Sequence, residues 1–125
     1  MPINSKRKGK RGELEWSKYL TKLGFPARRG QQFKGTAESP DVECDSLPLI
    51  HWEVKLVKRW TWGELDAWLK RATVEGRGKI ACVAVRANRS DWHLAWYLFD
   101  DGLAVTTSGA ERIQSVLTAI STQRF

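Results

Sequence analysis

The sequence predicts an α/β fold in which helices flank a mixed central sheet. Three segments repeat apolar residues at the helical spacing of three or four, and the segments between them alternate apolar with polar residues or form short apolar runs. The resulting order is helix, three strands, helix, two strands, helix, which is typical of α/β proteins. With 125 residues, 42% of them hydrophobic, the chain suits one compact core and is too short for two ordinary domains. We expect a single domain over residues 9–125, preceded by a flexible basic arm over residues 1–8.

The first helix is predicted over residues 12–23, where the apolar stripe consists of Trp16, Leu20 and Leu23. Glu13 lies on that stripe, so its carboxylate is expected to point inward. Such a carboxylate is costly unless it is paired or lies near a metal ion, although in the first turn it can also interact with the helix N-terminus. Glu15 lies on the opposite side of the helix, where we expect it to be solvated.

Three strands are predicted after this helix. Residues 28–33 form a candidate first strand, and the polar residues that follow form a loop that leads to Asp41. Pro40 forces an extended entry into the next strand, and Pro48 turns the chain back. We therefore expect Asp41 and Glu53 to lie on neighbouring strands.

The third of these strands, over residues 49–57, separates apolar from polar side chains because side chains alternate along a strand. One face carries Ile50, Trp52, Val54 and Leu56, and the other carries His51, Glu53 and Lys55. The polar face is either a solvated surface with an ordinary Glu53–Lys55 pair or a functional site. Neighbouring strands lie about 5 Å apart, so Asp41 and Glu53 can share a hard cation such as magnesium. With the Lys55 ammonium, they form a set suited to metal-assisted phosphodiester hydrolysis.

The remaining elements form the scaffold. Thr61 and Glu64 form a capping box for a second helix that extends to Gly76. A buried strand is predicted over residues 80–85, and a further strand over residues 94–99. The second helix has an apolar stripe made of Trp62, Leu65, Leu69 and Ala72. The last helix is predicted to be capped by Ser108 and Glu111, with Ile113, Val116, Leu117 and Ile120 facing the core.

The charge balance indicates an anionic partner. Twenty-one Lys and Arg against fourteen Asp and Glu give a formal net charge of +7, as expected for a nucleic-acid-binding protein. A basic run precedes the first helix, and it is either a solubilising tail or an arm that orders on the phosphate backbone. The candidate DNA-binding residues are Lys6, Arg7, Lys8, Lys10, Arg11, Arg28, Arg29, Gln32 and Lys34.

Two other classes of protein find no support in the sequence. No apolar run approaches the roughly 20 residues of a membrane-spanning helix. Cys44 and Cys82 are too few and too far apart for a disulfide framework or a zinc site, so we expect reduced, packed thiols.

Short pieces of sequence between residues 8 and 58 carry a resemblance to a known family. They are Lys8-Gly9, Glu13, Leu23-Gly24-Phe25, residues 28–32, Ser39-Pro40-Asp41 and Glu53-Val54-Lys55. In order and rough spacing they resemble the PD-(D/E)xK nuclease superfamily, and within it the Holliday junction resolvase-like branch with its small phage-encoded members. The combination is much more specific than any single piece. Beyond residue 60, no motif fixes the substrate.

The resemblance implies a restriction-endonuclease-like core with a defined division of roles. Asp41 and Glu53 would bind magnesium, with manganese able to substitute, and the Val54 carbonyl would be a further ligand. Lys55 would lie next to the attacking water, and Glu13 would be the acid contributed by the helix.

The implied activity is that of an endodeoxyribonuclease acting on branched DNA in recombination, with Holliday junction resolution as the leading reaction. We expect a homodimer, since two sites related by a two-fold axis can make paired cuts, in the cytoplasm of a prokaryotic or phage-infected cell. One alternative is a nuclease that acts on flaps or forks or makes nicks. Another is a catalytically silent nucleic-acid-binding module, although carboxylates beside phosphate would weaken such binding.

Three further residues have open roles. His51 shares the face of Glu53 and can contact phosphate, but a lone histidine is more often structural. Glu43 shares the face of Asp41, where it is a candidate alternative metal ligand, a partner that orients the ligands, or a solvated acid at the edge of the strand. Trp60 can stack on unpaired bases or pack at a dimer contact, whereas the helical stripe favours the core for Trp62.

Overall fold

The computed structural model describes residues 5–30, 41–98 and 102–122, with side chains from Gly9 onward. This part of the chain contains three helices, which are separated by two groups of three strands. The helices are α1 (Ser5–Lys22), α2 (Trp62–Gly76) and α3 (Ala110–Thr122). The strands are β1 (Ala27–Arg29), β2 (Val42–Cys44), β3 (Ile50–Val57), β4 (Ile80–Ala87), β5 (Trp92–Tyr97) and β6 (Ala104–Ser108).

The main sheet is mixed, with the strand order β3-β4-β5-β6. Strands β3 and β4 are parallel and joined through α2, whereas β4–β5 and β5–β6 are antiparallel pairs. Strands β1 and β2 form a separate antiparallel pair. The prediction of an α/β fold with helices flanking a mixed sheet is confirmed.

The two faces of the main sheet bury two hydrophobic clusters. The larger cluster joins α1 and α3 to one face, with Trp16, Trp52, Leu94 and Leu117 among its buried members. The smaller cluster lies under α2 and contains Leu65, Leu69, Val83, Val85 and Ala95. Because β4 contributes to both clusters, its apolar run is buried on both faces, as the sequence predicts.

The helix boundaries differ in part from those predicted. Helix α1 begins at Ser5 instead of Gly12 because Lys and Arg, which are good helix formers, extend it backwards. Four residues of the predicted arm therefore have helical backbone. The capping box of α2 is confirmed, since the Glu64 backbone N–H donates to Thr61 Oγ1 at 3.2 Å. Ser108 ends β6 instead of capping α3, which follows Gly109.

Two predictions about the packing are wrong. Trp62 is 59% exposed, because the first turn of α2 projects beyond the edge of its cluster. Strand β2 pairs with β1 and not with β3, so Asp41 and Glu53 do not lie on neighbouring strands. Two successive turns, closed by the bonds Leu47 N–Cys44 O and Ile50 N–Leu47 O, redirect the chain between β2 and β3.

Residues 5–30, 41–98 and 102–122 contain no helix that could span a membrane. In this part of the chain, every helix is too short or too polar to cross a bilayer.

Candidate active site

The polar face of β3 is partly withdrawn from water, most of all at Glu53. Helix α2 covers it, and the Glu53 side chain is only 9% exposed. A carboxylate so far removed from water requires a partner, and Lys55 supplies one, with its Nζ 3.2 Å from Glu53 Oε1. The interpretation of this face as a solvated surface is therefore wrong for Glu53.

Helix α1 brings a second carboxylate to the same region. The Glu13 side chain is 14% exposed, and its Oε2 accepts a hydrogen bond from Arg29 Nε at 3.0 Å. Burial raises the pKa of Glu13, and the charges of Asp41 and Glu53 raise it further, while the bond to Arg29 opposes the shift. The inward orientation expected for Glu13 is confirmed, and Arg29 is its observed partner.

Asp41 is the third carboxylate of this group. It immediately precedes β2, and its carbonyl oxygen accepts the Gly30 N–H at 2.9 Å, which ties it to the end of β1. Its charge acts on Glu13, as does that of Glu53. The three acids thus come from three elements: Glu13 from α1, Asp41 from the residue before β2, and Glu53 from β3. Asp41 and Glu53 both act on Glu13, although β2 and β3 are not paired.

The Val54 carbonyl is directed away from the neighbouring strand β4. The Ile80 N–H donates to the Leu49 carbonyl at 2.7 Å, and Ile50 is in register with Ile80. Because backbone groups alternate in direction along a strand, odd-numbered residues of β3 bond to β4 and even-numbered residues point away from it. The Val54 carbonyl is therefore on the edge of β3 opposite β4, as its predicted role as a ligand requires.

Helix α2 lays a row of complementary side chains along the polar face of β3. Its members Trp68, Arg71 and Glu75 are spaced at three and four residues, and therefore lie on one side of the helix. Lys55 Nζ lies 5.7 Å from the centre of the Trp68 ring, and His51 Nε2 lies 3.9 Å from Glu75 Oε2.

Arg71 occupies the middle of this row and was missed in the sequence. Its Nε lies 2.9 Å from Glu75 Oε1, and the charges of Glu53 and Asp41 also raise its pKa. Two patterns in the sequence could have identified it. One is the helical spacing of Trp68, Arg71 and Glu75, and the other is the alternation of polar residues along β3 that faces them. Arg71 supplies the site with a third cation, besides Lys55 and Arg29.

Two glycines permit this close packing of helices on β3. A Cβ on Gly12 of α1 would lie 3.1 Å from Leu56 Cγ and 3.4 Å from Val54 Cγ1. A Cβ on Gly76 of α2 would lie 3.0 Å from His51 Cβ. A Cβ at position 12 would require Leu56 or the helix to shift by a few tenths of an ångström, so Gly12 lets α1, and with it the Glu13 backbone, lie close to β3.

The candidate DNA-binding residues differ in what they contact. Lys10 and Arg11 are exposed near the start of α1. Arg28 is held by Glu43 at 2.9 Å and by Asp45 at 3.3 Å. Glu43 therefore pairs with an arginine. The side chains of Lys6, Arg7 and Lys8, and the whole of Gln32 and Lys34, lie outside the part that the structure describes.

The aromatic candidates form a small cluster beside α2. Trp60 packs edge-on against both Trp62 and His93, with ring centres 5.7 Å apart in each pair. Trp60 also contacts the smaller hydrophobic cluster, whereas Trp62 is mainly exposed. Trp62 therefore offers an accessible ring.

The donor set suits a hard divalent cation. It consists of carboxylate and carbonyl oxygens, which magnesium prefers, and a cation would relieve the repulsion that the charges of Asp41 and Glu53 exert on Glu13. No group of three or more His, Cys, Asp or Glu residues is arranged to hold a metal within the described ranges. The predicted set of Asp41, Glu53 and the Val54 carbonyl contains only two side chains.

Comparison with protein-family models, with curated proteins and with solved structures gives no match. The functional interpretation consequently depends on the site itself.

Proposed function

We propose that the protein is a magnesium-dependent endodeoxyribonuclease that hydrolyses phosphodiester bonds in branched DNA. The observation that carries this proposal is the buried Glu53–Lys55 pair, beside which Glu13 and Asp41 contribute two further carboxylates. Burying charge costs stability, and a purely structural role would not require Glu13 to lie where the charges of Asp41 and Glu53 both repel it.

Asp41, Glu53 and the Val54 carbonyl would hold the magnesium ion. The bound ion would polarise the scissile phosphate and lower the pKa of an attacking water. Lys55 would orient that water and offset the negative charge that develops on the phosphate. Its contacts with Glu53 and the Trp68 ring restrict its position before DNA binds.

A catalytically silent DNA-binding module is the less favoured class. Carboxylates repel phosphate, so a protein that only binds DNA gains nothing by concentrating three of them at one place. Arg29, Lys55 and Arg71 offset this repulsion locally. The mixture of acids and cations suits a site that must accept both a metal ion and a phosphate.

Holliday junction resolution by a homodimer is the reaction that we propose on the resemblance, because paired sites can cut a near-symmetric junction twice. The products would carry 5′-phosphate and 3′-hydroxyl ends. Flap, fork and nicking activities are the alternatives within the same chemistry.

The test is a cleavage panel. Matched four-way junction, flap, fork, duplex and single-stranded DNA are incubated with magnesium, with manganese and with chelator, and each cut is mapped. We expect metal-dependent, paired cuts in the junction by the wild type and no cleavage by Asp41→Asn, with junction binding retained or tightened. Preferential cutting of flaps or forks would reassign the substrate, and equal cleavage by Asp41→Asn would reject the site.

A further inference from the structure

A charged cavity lies beside α1, on the flank opposite Glu13. It has a volume of about 270 Å³, at the ends of β3 and β4 where they approach the turn into β5. Its charged lining comes from three elements far apart in the sequence. The principal lining residues are Arg11, Glu15, Leu56, Val57, Arg86 and Arg89. Three arginines against one glutamate leave this lining with a net charge of +2.

Two of the three arginines of this cavity are paired with one acid, Glu15. Arg86 Nη1 lies 3.5 Å from Glu15 Oε2, and Arg86 Nε donates to the Ser90 carbonyl at 3.1 Å. Arg11 Nε lies 3.8 Å from Glu15 Oε1, so one acid fixes two guanidinium groups. Glu15 is thus paired and not simply solvated, contrary to expectation. A fixed guanidinium loses less entropy when it binds an anion.

The turn that carries Arg89 supports the same conclusion. Arg89 has φ 58°, a left-handed conformation that non-glycine side chains rarely adopt. The turn is closed by the bond from Ser90 N–H to the Ala87 carbonyl, and Asn88 N–H donates to the Lys58 carbonyl at 3.4 Å. An arginine therefore occupies a position where glycine or asparagine would be less strained.

The position of the cavity relates it to the acids. Arg11 and Glu15 are four residues apart on one side of α1, whereas Glu13 projects from the opposite side. The two sites are therefore separated by the width of a helix, roughly 10 Å. Duplex DNA carries one phosphate per about 1.7 Å of its axis. A duplex with its scissile phosphate at the acids thus has other phosphates within reach of the cavity.

From these observations we infer that the Arg11–Arg86–Arg89 cavity binds a backbone phosphate of the DNA, next to the phosphate that is cut. This inference rests on the proposed function for its choice of ligand. Arginine suits the role because its planar group can donate two parallel hydrogen bonds to phosphate oxygens. Glu15 would hold the two guanidinium groups at some cost in affinity, because its own charge repels the phosphate.

The test measures binding to a four-way junction by anisotropy, without magnesium, over a range of salt. The double variant Arg86→Gln/Arg89→Gln is compared with Arg112→Gln, which removes a charge from the exposed surface of α3. We expect the double variant to lose at least tenfold in affinity, with the slope of log affinity against log salt shallower by roughly one, the contribution of a single phosphate contact. Arg112→Gln should keep the wild-type slope.

A second comparison does not depend on loss of function. Glu15→Gln removes the acid from the cavity, and Glu111→Gln removes an exposed acid from α3, so both change the net charge equally. We expect Glu15→Gln to bind the junction more tightly than Glu111→Gln. Equal affinities for this pair, together with a wild-type slope in the double variant, would overturn the inference.

The outcomes separate this inference from the proposed nuclease. If the double variant binds the junction more weakly but the wild type cleaves no DNA, the cavity is supported and the nuclease is rejected. If the wild type cleaves DNA but the double variant binds the junction as tightly as the wild type, the nuclease is supported and the cavity is rejected. Thermal stabilisation of the wild type by inorganic phosphate, lost in the double variant with no change in junction affinity, would assign the cavity to free phosphate and overturn the inference.

Discussion

The two faces of strand β3 are both covered by helices, but they are buried by different chemistry. Under α1, Trp52 and its neighbours pack into the large hydrophobic cluster, and Trp52 is 2% exposed. Under α2, Glu53 and Lys55 meet a row of charged and aromatic side chains. Burial of the apolar face stabilises the folded state, whereas burial of the charges on the polar face costs part of that free energy. Variants on the two faces should therefore fail in different ways.

The largest expected effect is on the polar face. Glu53→Gln should abolish cleavage, because it removes a carboxylate that would hold the metal, while junction binding is retained or tightened by the loss of a negative charge. Single-turnover cleavage and anisotropy on the same preparation measure the two quantities. Glu111→Gln is the matched control, and magnesium-dependent turnover at the wild-type rate in Glu53→Gln would reject the assignment.

The apolar face should respond in the opposite manner. Trp52→Ala is expected to lower the free energy of unfolding by about 3–5 kcal/mol, the usual cost of deleting a buried aromatic side chain. The cleavage rate of the folded fraction should remain close to that of the wild type. Urea unfolding, followed by cleavage assays at low temperature, measures both. A specific loss of rate with unchanged stability would show that the two faces are not separable.

Lys55 sharpens the comparison within the polar face. Lys55→Met should lower the single-turnover rate by roughly a hundredfold with little change in junction affinity, the effect of losing one electrostatic stabiliser. Lys79→Met, which removes an exposed lysine before β4, serves as the control. If affinity fell while the rate at saturating DNA stayed normal, Lys55 would instead be a ground-state phosphate clamp.

The smallest effect concerns how α2 is attached to the sheet. The Tyr97 hydroxyl on β5 donates to Asp66 Oδ1 at 2.7 Å, and this bond, followed by the pairing with Lys70, lowers the pKa of Asp66. A lowered carboxyl pKa stabilises the folded state above the ordinary value of 3.8, and this contribution is lost as pH falls through the folded-state pKa. The stability advantage of wild type over Tyr97→Phe should therefore shrink in acid.

The same bond predicts a change in alkali. Burial and the bond to Asp66 raise the pKa of Tyr97 from 10.0 to about 12. The contribution of neutral Tyr97 is fully present below 10 and lost as pH rises through 12. Urea unfolding of both proteins across the pH range measures the expected changes in the stability difference in acid and in alkali. A constant difference between wild type and Tyr97→Phe would contradict this account.

The parts of the fold that the sequence predicts well are those with strong periodicity. The stripe of α1, the alternation in β3 and the apolar run of β4 are local patterns that survive folding, so these elements were predictable. Strand β6 was not, because Ala104 to Ser108 is half-buried throughout and shows no clean alternation. The exposure of Trp62 likewise depends on where α2 passes beyond the sheet, which no local pattern encodes.

The candidate site was predictable in its chemistry and less so in its geometry. Glu53 and Lys55 were placed correctly on one face, because alternation alone determines that. The proximity of Asp41 was inferred from strand pairing, but it results instead from two turns and the pairing of β2 with β1. Arg71 was missed because its relation to Glu53 exists only once α2 has packed across the strand.

Strand β3 ends the described main sheet, and this position has a consequence for solubility. The end strand of a sheet presents unpaired backbone groups to which another chain can add a strand, and inward-pointing charges are one way in which natural proteins discourage this. Glu53 and Lys55 lie on such a strand. The residues proposed for cleavage should therefore also discourage another chain from adding a strand to β3. A variant that replaces both with apolar residues should therefore precipitate or form filaments at concentrations where each single variant stays in solution.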